Sequence, residues 1–122
     1  MSNPEEEFRV PDDRDGGSEI ITFMGTTTIK PEHEEAYVAL TKVTAEMIRG
    51  HEPDTLLHLS YRHPSEPHTY VFVERYRNAA ALQAHADAPY LREAMEKVHS
   101  WLAKPLDVLR LSEIVWDIQR GV

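Results

Sequence analysis

Cysteine is missing from this chain of 122 residues. No disulfide, thiolate metal site or cysteine nucleophile can form, and a reducing compartment is expected. No apolar run approaches the ~20 residues that a membrane-spanning helix requires. The acidic, polar amino terminus does not resemble a signal peptide, so a cytoplasmic protein that makes no use of a membrane is expected. Positive charge is also scarce: 13 Lys and Arg stand against 21 Asp and Glu, a formal net charge of −8. That balance argues against nucleic acid as a partner, because phosphate recognition calls for clustered Lys and Arg. There is no glycine-rich phosphate loop, and Ser60 and Ser100 lack a recognisable nucleophile context.

What the chain does have is enough length for one domain and 41% hydrophobic residues, an ordinary share for a folded protein. Its charge is unevenly spread. Six acids (Glu5, Glu6, Glu7, Asp12, Asp13 and Asp15) outweigh Arg9 and Arg14 in residues 1–17, which therefore carry −4, half the net charge. With little to bury, this stretch is expected to be a disordered acidic tail, followed by a folded domain over residues 18–122.

Within the domain, Glu19 to Ile29 is rich in β-branched residues and predicts a first strand. Pro31 suits a first helical turn, Glu32, Glu34 and Glu35 suit the positive end of a helix dipole, and Gly50 suits its end. Between them Tyr37, Leu40, Val43, Met47 and Ile48 recur at helical spacing. HEPD (51–54) predicts a turn, Thr55 to His63 a second strand, and HPSEPH (63–68) a loop. A third strand is expected over Thr69 to Arg77. Asn78 is a candidate N-cap for a short helix containing Leu82, His85 and Ala86. Pro89 opens another helix, with Leu91, Met95, Val98 and Leu102 on one face, and Pro105 breaks it. Leu106 to Asp117 reads as the last strand.

This order is the split βαβ or ferredoxin-like plan, an α+β fold with a four-stranded antiparallel sheet and helices on one face. Such strands should alternate apolar and polar, and these do not. Tyr70 and Phe72 stand opposite Val71 and Val73, Leu57 and Leu59 opposite Leu56, and Ile21 and Phe23 opposite Ile20 and Met24. The helices can cover one apolar face only, so a homodimer packed sheet to sheet is expected.

The stretch VERYRNAAALQAHADAPYLREAM resembles the central segment of antibiotic biosynthesis monooxygenase domains, which form dimeric α/β barrels. In those domains strand three carries an acid, then an aromatic (usually Trp) two residues later, and the next helix carries a His. The matching residues here are Glu74, Tyr76 and His85, with Ala81 and Leu82 as the family's Ala-Leu pair. EPDTLLHLSYRH is similar to the family's second strand, which often opens Glu-Pro-Gly. The resemblance covers roughly residues 19 to 116. It implies one of two activities: oxygenation of quinols or anthrones without metal or flavin, or heme degradation. Heme-degrading relatives carry an Asn, a Trp and a His where this chain has Gly25, His85 and Met95, which disfavours that branch. The Asn and Tyr of the anthrone oxygenases fall on Phe72 and Leu82, and their Trp on Tyr76.

Cofactor-free oxygenation needs a base of near-neutral pKa beside an electron-rich ring, and polar groups for the oxyanion that forms. No cofactor is then called for, and the ligand is a small aromatic or apolar molecule. Phe72, Glu74 and Tyr76 share one face of strand three by period two. The resemblance turns that face, and His58 on strand two, toward a pocket under the helices. The candidate catalytic set is His85 as the base, Tyr76 or His58 orienting the substrate oxygen, and Glu74 holding a histidine in place. Phe72, Leu82 and Met95 form the candidate substrate-binding shell. Each has a plainer reading. A buried Glu-His pair can simply satisfy hydrogen bonds between sheet and helix, Tyr76 can be wall, and His58 can lie at the core edge. The rival function is a non-catalytic barrel that binds an apolar molecule or serves in assembly. His63 and His68 flank PSEP, but two histidines without a placed carboxylate are a weak metal signal, and no metal is expected. His33, His51 and His99 read as surface or helix-end residues. Trp101 and Trp116 read as core or dimer seam, with Trp101 a candidate for the pocket mouth.

Overall fold

A computed structural model describes residues 19–115 and 118. The expected acidic tail, Trp116 and Asp117 lie outside these residues. Four strands form one antiparallel sheet in the order β2-β3-β1-β4: β1 (Ile21–Thr28), β2 (Thr55–Arg62), β3 (Thr69–Tyr76) and β4 (Asp107–Leu111). A 3-10 turn (Pro31–His33) leads into α1 (Glu34–His51), while α2 (Ala79–Asp87) and α3 (Pro89–Trp101) lie between β3 and β4. The expected α+β, ferredoxin-like plan is present, with the helices on one face of the sheet.

Local chemistry sets the boundaries. The Asn78 side chain accepts from the Ala81 N–H and starts α2 as an N-cap. Ala88 and Glu52 each precede a proline and leave the helical region (Ala88 at ψ 125°, Glu52 at ψ 77°), which separates α2 from α3 and stops α1. Gly50 was expected to end α1, yet the helix continues through His51 because Pro53, not the glycine, interrupts it. Likewise α3 stops at Trp101, before Pro105, as Leu102 turns extended to bridge Ile29. The last strand is shorter than the expected Leu106 to Asp117: it leaves the sheet after Leu111, which pairs with Thr22 near the start of β1. Val43, expected on the inner stripe of α1, is 60% exposed. It stands six residues beyond the buried Tyr37, about 120° round the helix.

Between β2 and β3 the register shifts. Thr55 pairs with Tyr76, Leu57 with Arg75 and His58 with Glu74, which leaves Leu56 as an extra residue. The bulge puts both Thr55 and His58 on the helix side. Without it, period two would set them on opposite faces.

Helix-side residues form two buried clusters. One, at α2, contains Ile21, Phe23, Tyr76, Ala79, Ala81 and Leu82. The other joins Ile29, Tyr37, Tyr70 and Val98, with Trp101 and Leu102 packed against it. The Trp101 ring also stacks on His33 at 5.8 Å. Between the clusters the register puts Phe72 opposite Gly25 and Glu74 opposite Phe23. Among the described residues no helix covers the other face of the sheet. It leaves Leu59 (38%), Tyr61 (55%), Leu109 (55%) and Leu111 (37%) exposed.

Candidate active site

Between the sheet and helices α1 and α3 lies a narrow slot of about 80 Å³. Its walls are mostly apolar: Phe72 from the sheet, Leu40 from α1, Leu91, Met95 and Val98 from α3, and Leu106. The polar part of the wall includes His58, Ser60 and Glu74. The slot shares Tyr37, Thr41, His58 and Ser60 with an outer chamber of about 400 Å³ that also touches Lys42, Arg62 and Tyr70. Together the two fall in the range of ~300–1,000 Å³ usual for small-molecule sites. The Tyr37 hydroxyl is held by Thr27 Oγ1 at 2.8 Å, so it serves as fixed wall, and burial pushes its pKa up.

Glu74 is the centre of the polar cluster. It is 5% exposed, takes a hydrogen bond from the Tyr76 hydroxyl, and its Oε1 lies 3.5 Å from His58 Nδ1. Its Oε2 lies 3.9 Å from His85 Nε2. Burial alone would push the Glu74 carboxyl up, but the His58 contact, His85 and the Tyr76 hydroxyl together hold it below the usual carboxylate range. The same burial, with the Glu74 charge beside it, drives the Tyr76 phenol well above its ordinary value. Tyr76 is therefore a neutral hydrogen-bond donor.

Behind this cluster stands a second carboxylate that the sequence reading passed over as part of a turn. Glu52, just past the end of α1, accepts from Thr55 Oγ1 at 2.7 Å and from the Tyr90 hydroxyl, and its Oε1 lies 2.8 Å from His85 Nδ1. Burial opposes its charge, yet the bonds to His85, Tyr90 and Thr55 bring its pKa down to about 2. A usable signal was present: an acid stands beside a proline at a helix end, three residues before a β-branched hydroxyl. The bulge that turns that hydroxyl inward cannot be read from spacing.

The four expected catalytic residues do come together, and the Tyr76 and His85 rings lie 5.1 Å apart. Their roles separate by position. His58 and Glu74 reach the slot, with Phe72 and Met95 beside them. His85 and Tyr76 are both 0% exposed and lie behind Glu74 rather than on the slot wall. Leu82 belongs to the core cluster at α2. The two arginines nearest Glu74 in sequence are engaged elsewhere: Arg75 with Glu113 at 3.4 Å on the open face, Arg77 with Asp54 at 2.9 Å.

His63 and His68 turn to different neighbours. His63 Nδ1 accepts from the Ser65 and Glu66 N–H groups, while His68 Nδ1 lies 2.7 Å from Glu34 Oε2. Among the described residues no three His, Asp or Glu side chains converge in a way that could hold a metal ion.

The sequence model of the antibiotic biosynthesis monooxygenase family matches residues 20–97. An uncharacterized protein of Synechocystis sp. is 33% identical over 97 residues, and the chain covers 65% of its length while the match spans 80% of this chain. Among solved structures, one from Bacteroides thetaiotaomicron superimposes with a TM-score of 0.77 at 20% identity, covering 84% of this chain and 96% of that one. Another from Mycobacterium tuberculosis gives 0.73 at 21%, covering 81% and 99%. At these identities the two structures speak to fold alone.

Proposed function

Because the chain belongs to the antibiotic biosynthesis monooxygenase family, we propose that it oxidises a small electron-rich aromatic with dioxygen and without metal or flavin. The observation that carries this reading is the apolar slot whose polar wall holds an imidazole backed by a buried carboxylate, His58 and Glu74. His58 takes a proton from the bound quinol, and Glu74 stabilises the imidazolium that results. The substrate anion gives one electron to dioxygen, and the radical pair joins as a peroxide. The new C–O bond forms at the ring carbon beside the ionised oxygen; protonation of the peroxide and loss of water leave a carbonyl there, so one hydroquinone and one O₂ yield one hydroxybenzoquinone and one H₂O. Tyr76 and His85 brace Glu74 instead of touching substrate. The slot of about 80 Å³ suits a single quinol ring better than a fused three-ring anthrone. Substituents extend into the outer chamber, where Lys42 and Arg62 suit an acidic group.

The open apolar face supports a homodimer packed sheet to sheet, which leaves the slot on the far side of each sheet. Oxygen uptake with substituted hydroquinones tests the oxygenase reading. Consumption that falls in His58→Ala supports it, and no consumption with any hydroquinone or anthrone ends it.

A second reading has its own observation. Phe72 and Met95 narrow the slot, as they would in a barrel that binds an apolar ligand without turnover. Saturable quenching of a bound fluorescent naphthol, with no oxygen uptake, identifies that case.

A further inference from the structure

We infer that Glu52 is a positioning residue that locks His85 in one tautomer, the proton on Nδ1, and so aims Nε2 at Glu74. The inference deepens the oxygenase reading and rests on it for its kinetic consequence, though not for its geometry.

The argument begins with the charge of Glu52. A carboxyl whose pKa lies at about 2 is ionised at neutral pH and can only accept hydrogen bonds. Three groups converge on it: the Thr55 hydroxyl at 2.7 Å, the Tyr90 hydroxyl, and His85 Nδ1 at 2.8 Å. Since the acceptor cannot donate, Nδ1 must carry the hydrogen. In a neutral imidazole the second nitrogen is then the acceptor, and it is where any further proton must go. That nitrogen, Nε2, lies 3.9 Å from Glu74 Oε2.

Every element around His85 contributes to this arrangement. Glu74 and Tyr76 face it from β3 and Glu52 from just past the end of α1, while Tyr90 on α3 holds Glu52. His58 on β2 acts on Glu74 in turn, and the Glu74 charge is felt by Tyr37 on α1. Acid and imidazole alternate through the interior: Glu52, His85, Glu74, His58. With Nδ1 committed to Glu52, Nε2 is the nitrogen that faces Glu74, and His85 is among the groups that favour the carboxylate bracing the slot imidazole. With the opposite tautomer, Nδ1 and the Glu52 carboxylate would face each other as two acceptors.

Nitrogen-15 NMR of the intact protein reads the tautomer directly. We expect the wild-type His85 to be protonated on Nδ1, and Glu52→Ala to shift it toward Nε2–H or a mixture. In oxygen uptake the same variant should lose about 10- to 100-fold in kcat, with KM changed by no more than about 2-fold, as for outer partners that orient a functional histidine. A wild-type spectrum with Nε2–H overturns the inference even if Glu52→Ala does not fold. Should no hydroquinone consume oxygen, the oxygenase reading falls, while the spectra still decide the role of Glu52.

Discussion

Gly25 and Phe72 face each other across β1 and β3, and the Phe72 ring fills the space where a side chain at position 25 would stand. A Cβ on Gly25 would fall 2.1 Å from Phe72 Cζ, so the ring would have to move. Phe72 also forms part of the slot wall, which ties the absence of a side chain on one strand to the shape of the cavity. Gly25→Ala should therefore cost about 1–3 kcal/mol through overpacking. It should also weaken naphthol binding. Urea denaturation and fluorescence titration measure the two effects. The double variant Gly25→Ala/Phe72→Leu should recover part of the loss, since the two side chains are in contact and their effects will not add.

Acid sensitivity follows from Glu52. Its folded pKa of about 2 lies below the ordinary value of 4.5, so its charge favours the folded state at pH above 4.5. That contribution is lost progressively as pH falls from 4.5 toward 2. Glu74 and Glu34, also held below the usual range, add in the same direction. Glu52→Gln should flatten the fall in stability between those limits, as read by circular dichroism of urea unfolding at a series of pH values. An unchanged pH dependence would show that the bonds to His85, Tyr90 and Thr55 do not favour the ionised form.

Slot and interior residues should separate kinetically. His58→Ala removes the imidazole on the slot wall and should lower kcat by about 10²–10⁴-fold if it is the base. Tyr76→Phe removes only the hydroxyl that donates to Glu74. It should cost about 1–3 kcal/mol of stability by leaving a buried carboxylate short of a donor. Steady-state kinetics and thermal unfolding on both variants test the division. Equal kcat losses with equal destabilisation would contradict it.

Self-association should depend on the sheet face without helices. Leu109→Glu puts a charge among Leu59, Tyr61 and Leu111 and should leave single chains in sedimentation at micromolar concentration, whereas the wild type should run as a pair. The polar spot on this face, Arg75 with Glu113 and Thr22, is already internally paired. Its presence is compatible with burial.

Much of this was legible in the order of residues. Strand-forming composition, helical spacing and proline placement located all four strands and the helices between them, and the doubled apolar faces pointed to an uncovered side. Glu74, Tyr76 and His85 were within reach of local rules, period two on β3 and the step from Leu82 to His85, whereas His58 was placed beside them by the family resemblance. Depth was not legible. Spacing cannot tell that His85 and Tyr76 are sealed behind Glu74 while His58 reaches the slot, because that depends on how α2 settles against the sheet. Glu52 escaped for a related reason: its three bonding partners, Thr55, His85 and Tyr90, come from β2, α2 and α3, while its neighbours in sequence look like an ordinary turn. The end of β4 escaped because Leu106 to Asp117 keeps a strand-like composition after the strands it needs to pair with have run out.

The extra residue at Leu56 divides β2 into two phases. Before it, Thr55 serves the interior anchor at Glu52; after it, His58 and Ser60 serve the slot while Leu59 and Tyr61 serve the uncovered face. Removing Leu56 would leave Thr55 and His58 two residues apart on one regular strand, on the same face and still opposite Tyr76 and Glu74. A one-residue deletion at that point would thus straighten the strand, taking out its local bend and extra twist while the anchor and the walls around the guest keep their sides.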